Sequence, residues 1–395
     1  MRGSNTARPA VKSLTGGPCP KGHFCPKGTA FPLGCRSGTY NPNEGEAECL
    51  VCPKGYYCPE NSTSYTSYPC PEGHYCPNGT KFSTEFPCPK GYFNNRTNGE
   101  KLEDCFACPG GMYCNSTGLT GPTGKCDPGW FCIRAAWAAR PVDYNNFTSG
   151  DCLCPSTSTG GECQPGFYCP QGSHEPKPCT GGHYCQFKGR EKVTGKCDAG
   201  FFCASGSSTP RPLDGITGNV CPPGHYCEVG TTTPKQCPMG HFSNNTGNNN
   251  VSDCIPCTAG KYCSGLGNTK PDGECDPGFF CPPGQHQKQP FSCTKGHYCE
   301  QGCPEPVHCP SGTYQNEEQK DSCKICPAGY YCDSKDDLSS FNTYICPKGY
   351  YCPNGTQFAT QFGCPVGTYG NDTLFYSSDQ CTNCPPGKYC LGKYG

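Results

Sequence analysis

Residues 299–303 read CEQGC, and the last of them, Cys303, is the cysteine whose position most invites a chemical role. Four sister stretches, opening at Cys25, Cys76, Cys227 and Cys352, end instead in Thr29, Thr80, Thr231 and Thr356. A thiol where its copies carry a hydroxyl can be a free reactive group or a link to a second chain. Other cysteines are spaced for metal. Cys49, Cys105, Cys254, Cys323 and Cys381 each open a C-x2-C, the half-site of a four-cysteine zinc centre. Histidine is patterned too: His23, His74, His183, His225, His241 and His297 all follow a glycine and precede Tyr or Phe. The same slot holds Tyr56, Met112, Trp130, Phe167, Phe201, Lys261 and Thr313, a range that a ligand position would not accept. It reads as a planar or long side chain lying on the surface.

The setting of these residues favours disulfides over zinc. Cysteine makes up 43 of 395 residues, in the range of a disulfide scaffold. Only 33% of the chain is hydrophobic, much of it cysteine and aromatic, and Gly and Pro number 54 and 43. Such a chain cannot build one large apolar core. Cross-links must then offset the backbone entropy of ordering, about 1–2 kcal/mol per residue. Disulfides in this number place the chain in an oxidising compartment, extracellular or at the cell surface. Nine Asn-x-Ser/Thr sequons agree, at Asn61, Asn78, Asn95, Asn115, Asn146, Asn244, Asn250, Asn354 and Asn371. The net charge of −1 gives no basic field for nucleic acid, and no stretch is apolar enough to span a membrane. The opening MRGSNTARPAVK lacks the apolar region of a signal peptide, so a mature or partial chain is expected.

No catalytic constellation emerges. There is no phosphate-cradling Gly-rich loop after a strand, no G-x-S-x-G, no H-E-x-x-H and no EF-hand loop. Asp336–Asp337 is the sole Asp pair and reads as a solvated turn. The chain is expected not to be an enzyme and to carry no cofactor or metal.

What positions the cysteines is an internal repeat running from Cys19 to Cys390. Its small unit is C-x2-G-x-[Tyr/Phe]-C, found fifteen times, opening at Cys19, Cys52, Cys70, Cys108, Cys126, Cys163, Cys179, Cys197, Cys221, Cys257, Cys275, Cys293, Cys326, Cys346 and Cys384. Five further copies, opening at Cys35, Cys88, Cys237, Cys309 and Cys364, lack the closing cysteine. Each is followed 14 or 17 residues later by the cysteine that opens a C-x2-C. The glycine supplies a conformation that a Cβ disfavours, and the aromatic can lie across a disulfide as a one-residue core. A larger unit repeats as well, since 52–114 matches 326–390 along its length. Strands should be short and helix minimal. The one helix-friendly stretch is IRAAWAAR, Ile133 to Arg140, beside the irregular CLCPSTSTGGEC from Cys152.

The long copies, such as Cys35 to Cys58 and Cys309 to Cys332, resemble the ephrin-receptor-like cysteine-rich repeat, and more distantly the cysteine-rich modules of TNF receptors. The resemblance implies extracellular, elongated modules within larger surface or matrix proteins, and no specific activity. It also implies the pairs Cys35 with Cys49, Cys88 with Cys105, Cys237 with Cys254, Cys309 with Cys323, and Cys364 with Cys381. With those pairs drawn, the blocks of cysteines between them are even except one. Seven lie between Cys254 and Cys309, and that block contains Cys303. Cys303 is then surplus: a bond to another chain, a free thiol, or local reshuffling with Cys299 or Cys293. The pairing inside the even blocks stays open.

The reading is an elongated rod of stacked small disulfide-rich modules with short β-strands and turns, little helix and no large hydrophobic core. Its divisions are an N-terminal extension (1–18), a first array (19–132), an irregular bend or insert (133–162), short C-x5-C repeats (163–220) and a second array (221–395). The expected function is an N-glycosylated extracellular scaffold within a larger surface, matrix or fibre-forming protein. Its partners would be further copies, bound head-to-tail or laterally, or other matrix proteins. A ligand-binding receptor ectodomain is the alternative, with 133–162 as its one pattern-breaking stretch.

Overall fold

The computed structural model describes residues 16–143 and 158–391. The chain divides into two compact units, Met1–Lys196 with Ala204–Pro210, and Cys197–Cys203 with Arg211–Gly395. Among the described residues, thirty strands of two or three residues form fifteen two-stranded antiparallel pairs. No α-helix is present among them. The stretch 133–140 is bend and irregular backbone, because Ala135 is held at φ 53°, outside the right-handed helical region. The N–H of Ala135 is taken by the Cys108 carbonyl at 2.9 Å.

Within each unit, a recurring set of backbone bonds docks module on module. In the first unit, Cys52 N–H donates to the Gly38 carbonyl at 2.9 Å, and Gly38 N–H donates to the Cys58 carbonyl at 2.7 Å. A third bond runs from Gly79 N–H to the Cys52 carbonyl at 2.8 Å. The second unit repeats the set: Cys275 to Gly260 at 3.0 Å, Gly260 to Cys281 at 2.8 Å, and Gly302 to Cys275 at 3.0 Å. These contacts explain the invariant glycine of the repeat. Gly38 sits at φ +86°, and a Cβ there would meet the Gly79 carbonyl oxygen at 2.4 Å. The ladder uses main chain only, so side chains between its rungs are free to vary.

The modules differ in length for a local reason. Where the long copies span 17 residues rather than 14, a 3-10 turn fills the difference: Leu102–Asp104, Val251–Asp253 and Ser378–Gln380. Each turn is capped by its last residue. Asp104 accepts from the N–H groups of Glu100 and Lys101 at 2.6 and 3.1 Å, and Asp253 does the same for Asn249 and Asn250 at 2.6 and 3.2 Å.

The core is correspondingly dispersed. Buried cysteines dominate it, and aliphatic burial is exceptional. The largest cluster gathers Tyr314 and the fully buried Leu338 around the disulfides of Cys309 and Cys326. There Phe341 wedges between Tyr314 and Tyr330, with ring centroids 4.8 and 5.0 Å apart. The first unit has the matching wedge, Tyr65 between Tyr40 and Tyr56 at 5.2 and 4.9 Å. In 133–162, residues 144–157 lie outside the description, and the residues flanking 133–162 make the usual module contacts. Trp130–Cys132 pairs with Gly160–Glu162, and Cys163 N–H reaches the Gly129 carbonyl at 3.0 Å.

Candidate functional site

The cysteines come first. Each of the fifteen C-x5-C units closes on itself. The five long copies join Cys35 to Cys49, Cys88 to Cys105, Cys237 to Cys254, Cys309 to Cys323 and Cys364 to Cys381. Every C-x2-C therefore splits its two sulfurs between different disulfides, as Cys49 with Cys35 and Cys52 with Cys58. Sulfurs oxidised into disulfides in this way carry no thiolate to serve as a zinc half-site. Cys152 and Cys154 lie outside the described residues.

Sequence reasoning missed what replaces the closing cysteine in the long copies. The seventh position holds Asn41, Asn94, Ser243, Gln315 and Gly370. The four with side chains are buried. Asn41 Nδ2 donates to the His23 carbonyl at 2.6 Å, Asn94 Nδ2 to the His74 carbonyl at 3.1 Å, and Gln315 Nε2 to the Ser322 carbonyl at 2.7 Å. Ser243 works through Asn248, whose Nδ2 reaches the His225 carbonyl at 2.7 Å. Aligning the five fragments on their first cysteine would have shown this polar column.

Cys303 occupies a turn slot that elsewhere holds a hydroxyl. Thr80 Oγ1 donates to the Pro77 carbonyl at 2.6 Å, and the Thr80 carbonyl accepts from Cys58 N–H at 3.0 Å. Thr231 and Thr356 repeat the side-chain bond at 2.8 and 2.6 Å. Cys303 keeps the backbone part, its carbonyl accepting from Cys281 N–H at 2.9 Å. Its Sγ–H donates to the Glu305 carbonyl at 2.8 Å. The side chain is 6% exposed and packs beside the Cys293–Cys299 disulfide, with no disulfide of its own. Burial pushes its thiol above the usual range, which keeps it protonated and a poor nucleophile. A bond from Cys303 to another chain would require the 300–305 turn to open first.

The sequon asparagines Asn61, Asn78, Asn95, Asn115, Asn244, Asn250, Asn354 and Asn371 are all exposed, and Asn146 lies outside the described residues. Their placement is modular. Asn95, Asn244 and Asn371 each stand seven residues after the first cysteine of a long copy. Asn78 and Asn354 are equivalent as well: their Oδ1 atoms accept from Lys54 and Ala328 N–H at 2.9 and 2.8 Å. The Nδ2 that would carry a sugar takes no part in those bonds.

The patterned histidines share one contact. Nδ1 of His23, His74, His183, His225, His241 and His297 lies 3.0–3.3 Å from the carbonyl two residues earlier. A carbonyl only accepts, so Nδ1 carries the ring proton. Elsewhere, in the first unit, an open groove of about 1090 Å³ is lined by Tyr92, Leu102, Phe106, Ile133, Arg134 and Ser158. Among the described residues, no helix is long and apolar enough to cross a membrane.

Closure of the fifteen small units on themselves decides the class. The chain is a cysteine-rich repeat array. No family model matches it. It is similar to Cysteine repeat modular protein A of Toxoplasma gondii, 32% identical over 203 residues, which covers 46% of this chain and 6% of that protein. It is also similar to mouse Signal peptide, CUB and EGF-like domain-containing protein 2, 31% identical over 106 residues, or 27% of this chain and 9% of that one. ABC transporter G family member 25 of Oryza sativa subsp. japonica is 34% identical over 98 residues, 22% of this chain and 10% of that protein. The chain spans a tenth or less of each of these relatives. Proteins so differently named each match part of this array, which argues for a module and for no one activity.

Proposed function

We propose that this chain is a non-catalytic, N-glycosylated segment of a larger extracellular scaffold, built of ephrin-receptor-like modules and engaged in self-association into filaments. One observation carries the reading. Each module is stapled by its own disulfide and docked on its neighbours by a recurring set of main-chain bonds, so modules can be added without redesigning that part of the joint. Repetition of that kind suits spacing and mechanical continuity. The exposed, module-periodic sequons support glycosylation, and the disulfides support an oxidising compartment.

The test is expression through a secretory pathway, glycopeptide mass spectrometry and electron microscopy of the unreduced product. Sugars on several sequons and regular filaments are the expected results. Unglycosylated, discrete particles would sink the reading. The groove lined by Tyr92, Phe106 and Ile133 favours the second reading, a ligand-binding ectodomain. Under that reading, substitutions in the groove abolish capture of a soluble ligand, and assembly is absent.

A further inference from the structure

His308 stands outside the patterned histidine slot, in the second unit, directly opposite one of its members. His297 and His308 are paired residues of the antiparallel strands His297–Tyr298 and Val307–His308. Their ring centroids are 5.0 Å apart with the planes at 81°. Nδ1 of His297 lies 3.2 Å from the Lys295 carbonyl, with Thr294 Oγ1 at 3.4 Å from the same nitrogen. Nδ1 of His308 lies 3.1 Å from the Cys309 carbonyl. Both Nδ1 atoms therefore hold the ring proton when neutral, and both Nε2 atoms keep a free lone pair. Fixing one imidazole nitrogen on a carbonyl is how proteins set the tautomer and direction of a metal-ligating histidine.

We propose that His297 and His308 form a two-imidazole site for a divalent transition ion, with Cu²⁺ and Ni²⁺ preferred over Zn²⁺. Two nitrogen ligands on a rigid strand pair suit those ions by ligand type and by the general affinity order. Among the described residues, no three metal-ligating side chains converge on one point. The pair thus supplies two ligands, and water fills the remaining positions. The 336–339 turn packs beside the pair: a Cβ on Gly296, the residue before His297, would lie 3.3 Å from Ser339 N, and Asp337 Oδ1 accepts from that N–H at 2.9 Å. The site does not depend on the scaffold reading above.

The test is a Cu²⁺ titration of the folded, disulfide-intact chain near neutral pH, read by calorimetry and electron paramagnetic resonance. One tight ion per chain with two nitrogen couplings is expected. His297→Asn and His308→Asn should each weaken it roughly tenfold or more. Substoichiometric Ni²⁺ on the unaltered protein should broaden amide signals of 294–309 and 336–339 first, which needs no variant to fold. The same titration in Cys303→Thr should be unchanged. Unaltered affinity in His308→Asn, broadening centred on other histidines, or loss of binding in Cys303→Thr would each overturn the proposal.

Discussion

The module opening at Cys52 and the one opening at Cys88 make the same backbone joints by different covalent means. In the first, Cys70 N–H donates to the Gly55 carbonyl at 2.9 Å and Gly55 N–H to the Cys76 carbonyl at 2.8 Å. In the second, Cys108 N–H donates to Gly91 at 2.8 Å and Gly91 N–H to Cys114 at 2.9 Å. Yet Cys52 closes on Cys58 six residues away, while Cys88 reaches Cys105 across seventeen. At the seventh position of the second module stands Asn94, which donates to the His74 carbonyl and accepts from Arg96 N–H at 3.0 Å. The constant of this fold is the main-chain ladder. The staple can move, and in three of the five long copies a buried, hydrogen-bonded amide, Asn41, Asn94 or Gln315, stands where the closing cysteine would be.

The largest effects should come from the glycines at the joints. Gly91 and Gly55 share φ +84°, but a Cβ on Gly91 would lie 2.4 Å from the Ala135 carbonyl oxygen, and one on Gly55 3.2 Å from that of Asn98. Gly91→Ala should cost about 2–5 kcal/mol, from the left-handed backbone plus the clash, and Gly55→Ala about 1–2 kcal/mol. Native-state hydrogen exchange at each joint measures both, and equal costs would remove the close approach as a cause. The disulfides come next. Serine at both Cys88 and Cys105 should cost about 3 kcal/mol, and serine at both Cys52 and Cys58 about 2 kcal/mol, because the longer loop loses more closure entropy. Module-resolved exchange or protease sensitivity tests the order.

The amide column gives a sharper break. Asn94→Ala should cost about 1–3 kcal/mol through unpaired buried groups. Asn94→Cys should divert Cys88 to the nearer thiol and free Cys105, read by peptide mapping without reduction. Smaller again is the Cys303 slot. Cys303→Thr should change stability little, and Cys303→Val should cost about 1 kcal/mol, one side-chain hydrogen bond. Native protein should resist alkylation at this residue until it is unfolded. The smallest effect lies on the long module opening at Cys309. Lys324, with Lys320 at 2.9 Å, holds the Glu317 carboxyl down to about 2. A depressed carboxylate stabilises above its unfolded value of about 4.3 and loses that contribution as pH falls towards 2. Lys324→Met should raise the Glu317 midpoint in an NMR titration, with little change in unfolding, because the pair is exposed.

Much of this was legible from residue types. The cysteine count and the glycine of C-x2-G-x-[Tyr/Phe]-C point to short stapled modules, since a chain so poor in aliphatics has no other means of ordering itself. For the C-x2-C pairs composition already favours disulfides over zinc, and the structure adds that adjacent sulfurs join different partners. The stretch 133–140 shows the limit of local propensity. Its alanines favour a helix, but the ladder needs Ala135 in a left-handed conformation and claims its N–H.

The sequence by itself determined the chemistry of closure: an oxidised, coreless array whose repeats are set by cysteine and glycine spacing. Spacing is enough for that, because a six-residue loop with a central left-handed glycine has few other ways to bring its ends together. Only the tertiary structure decided which groups stand in for a missing cysteine, that Cys303 is buried in a turn, and that His297 meets His308. Those outcomes depend on how the backbone folds around each residue, within a turn for Cys303 and across a module boundary for Asn41 and Asn94. One-dimensional spacing carries no information about which carbonyl an amide or a thiol will face.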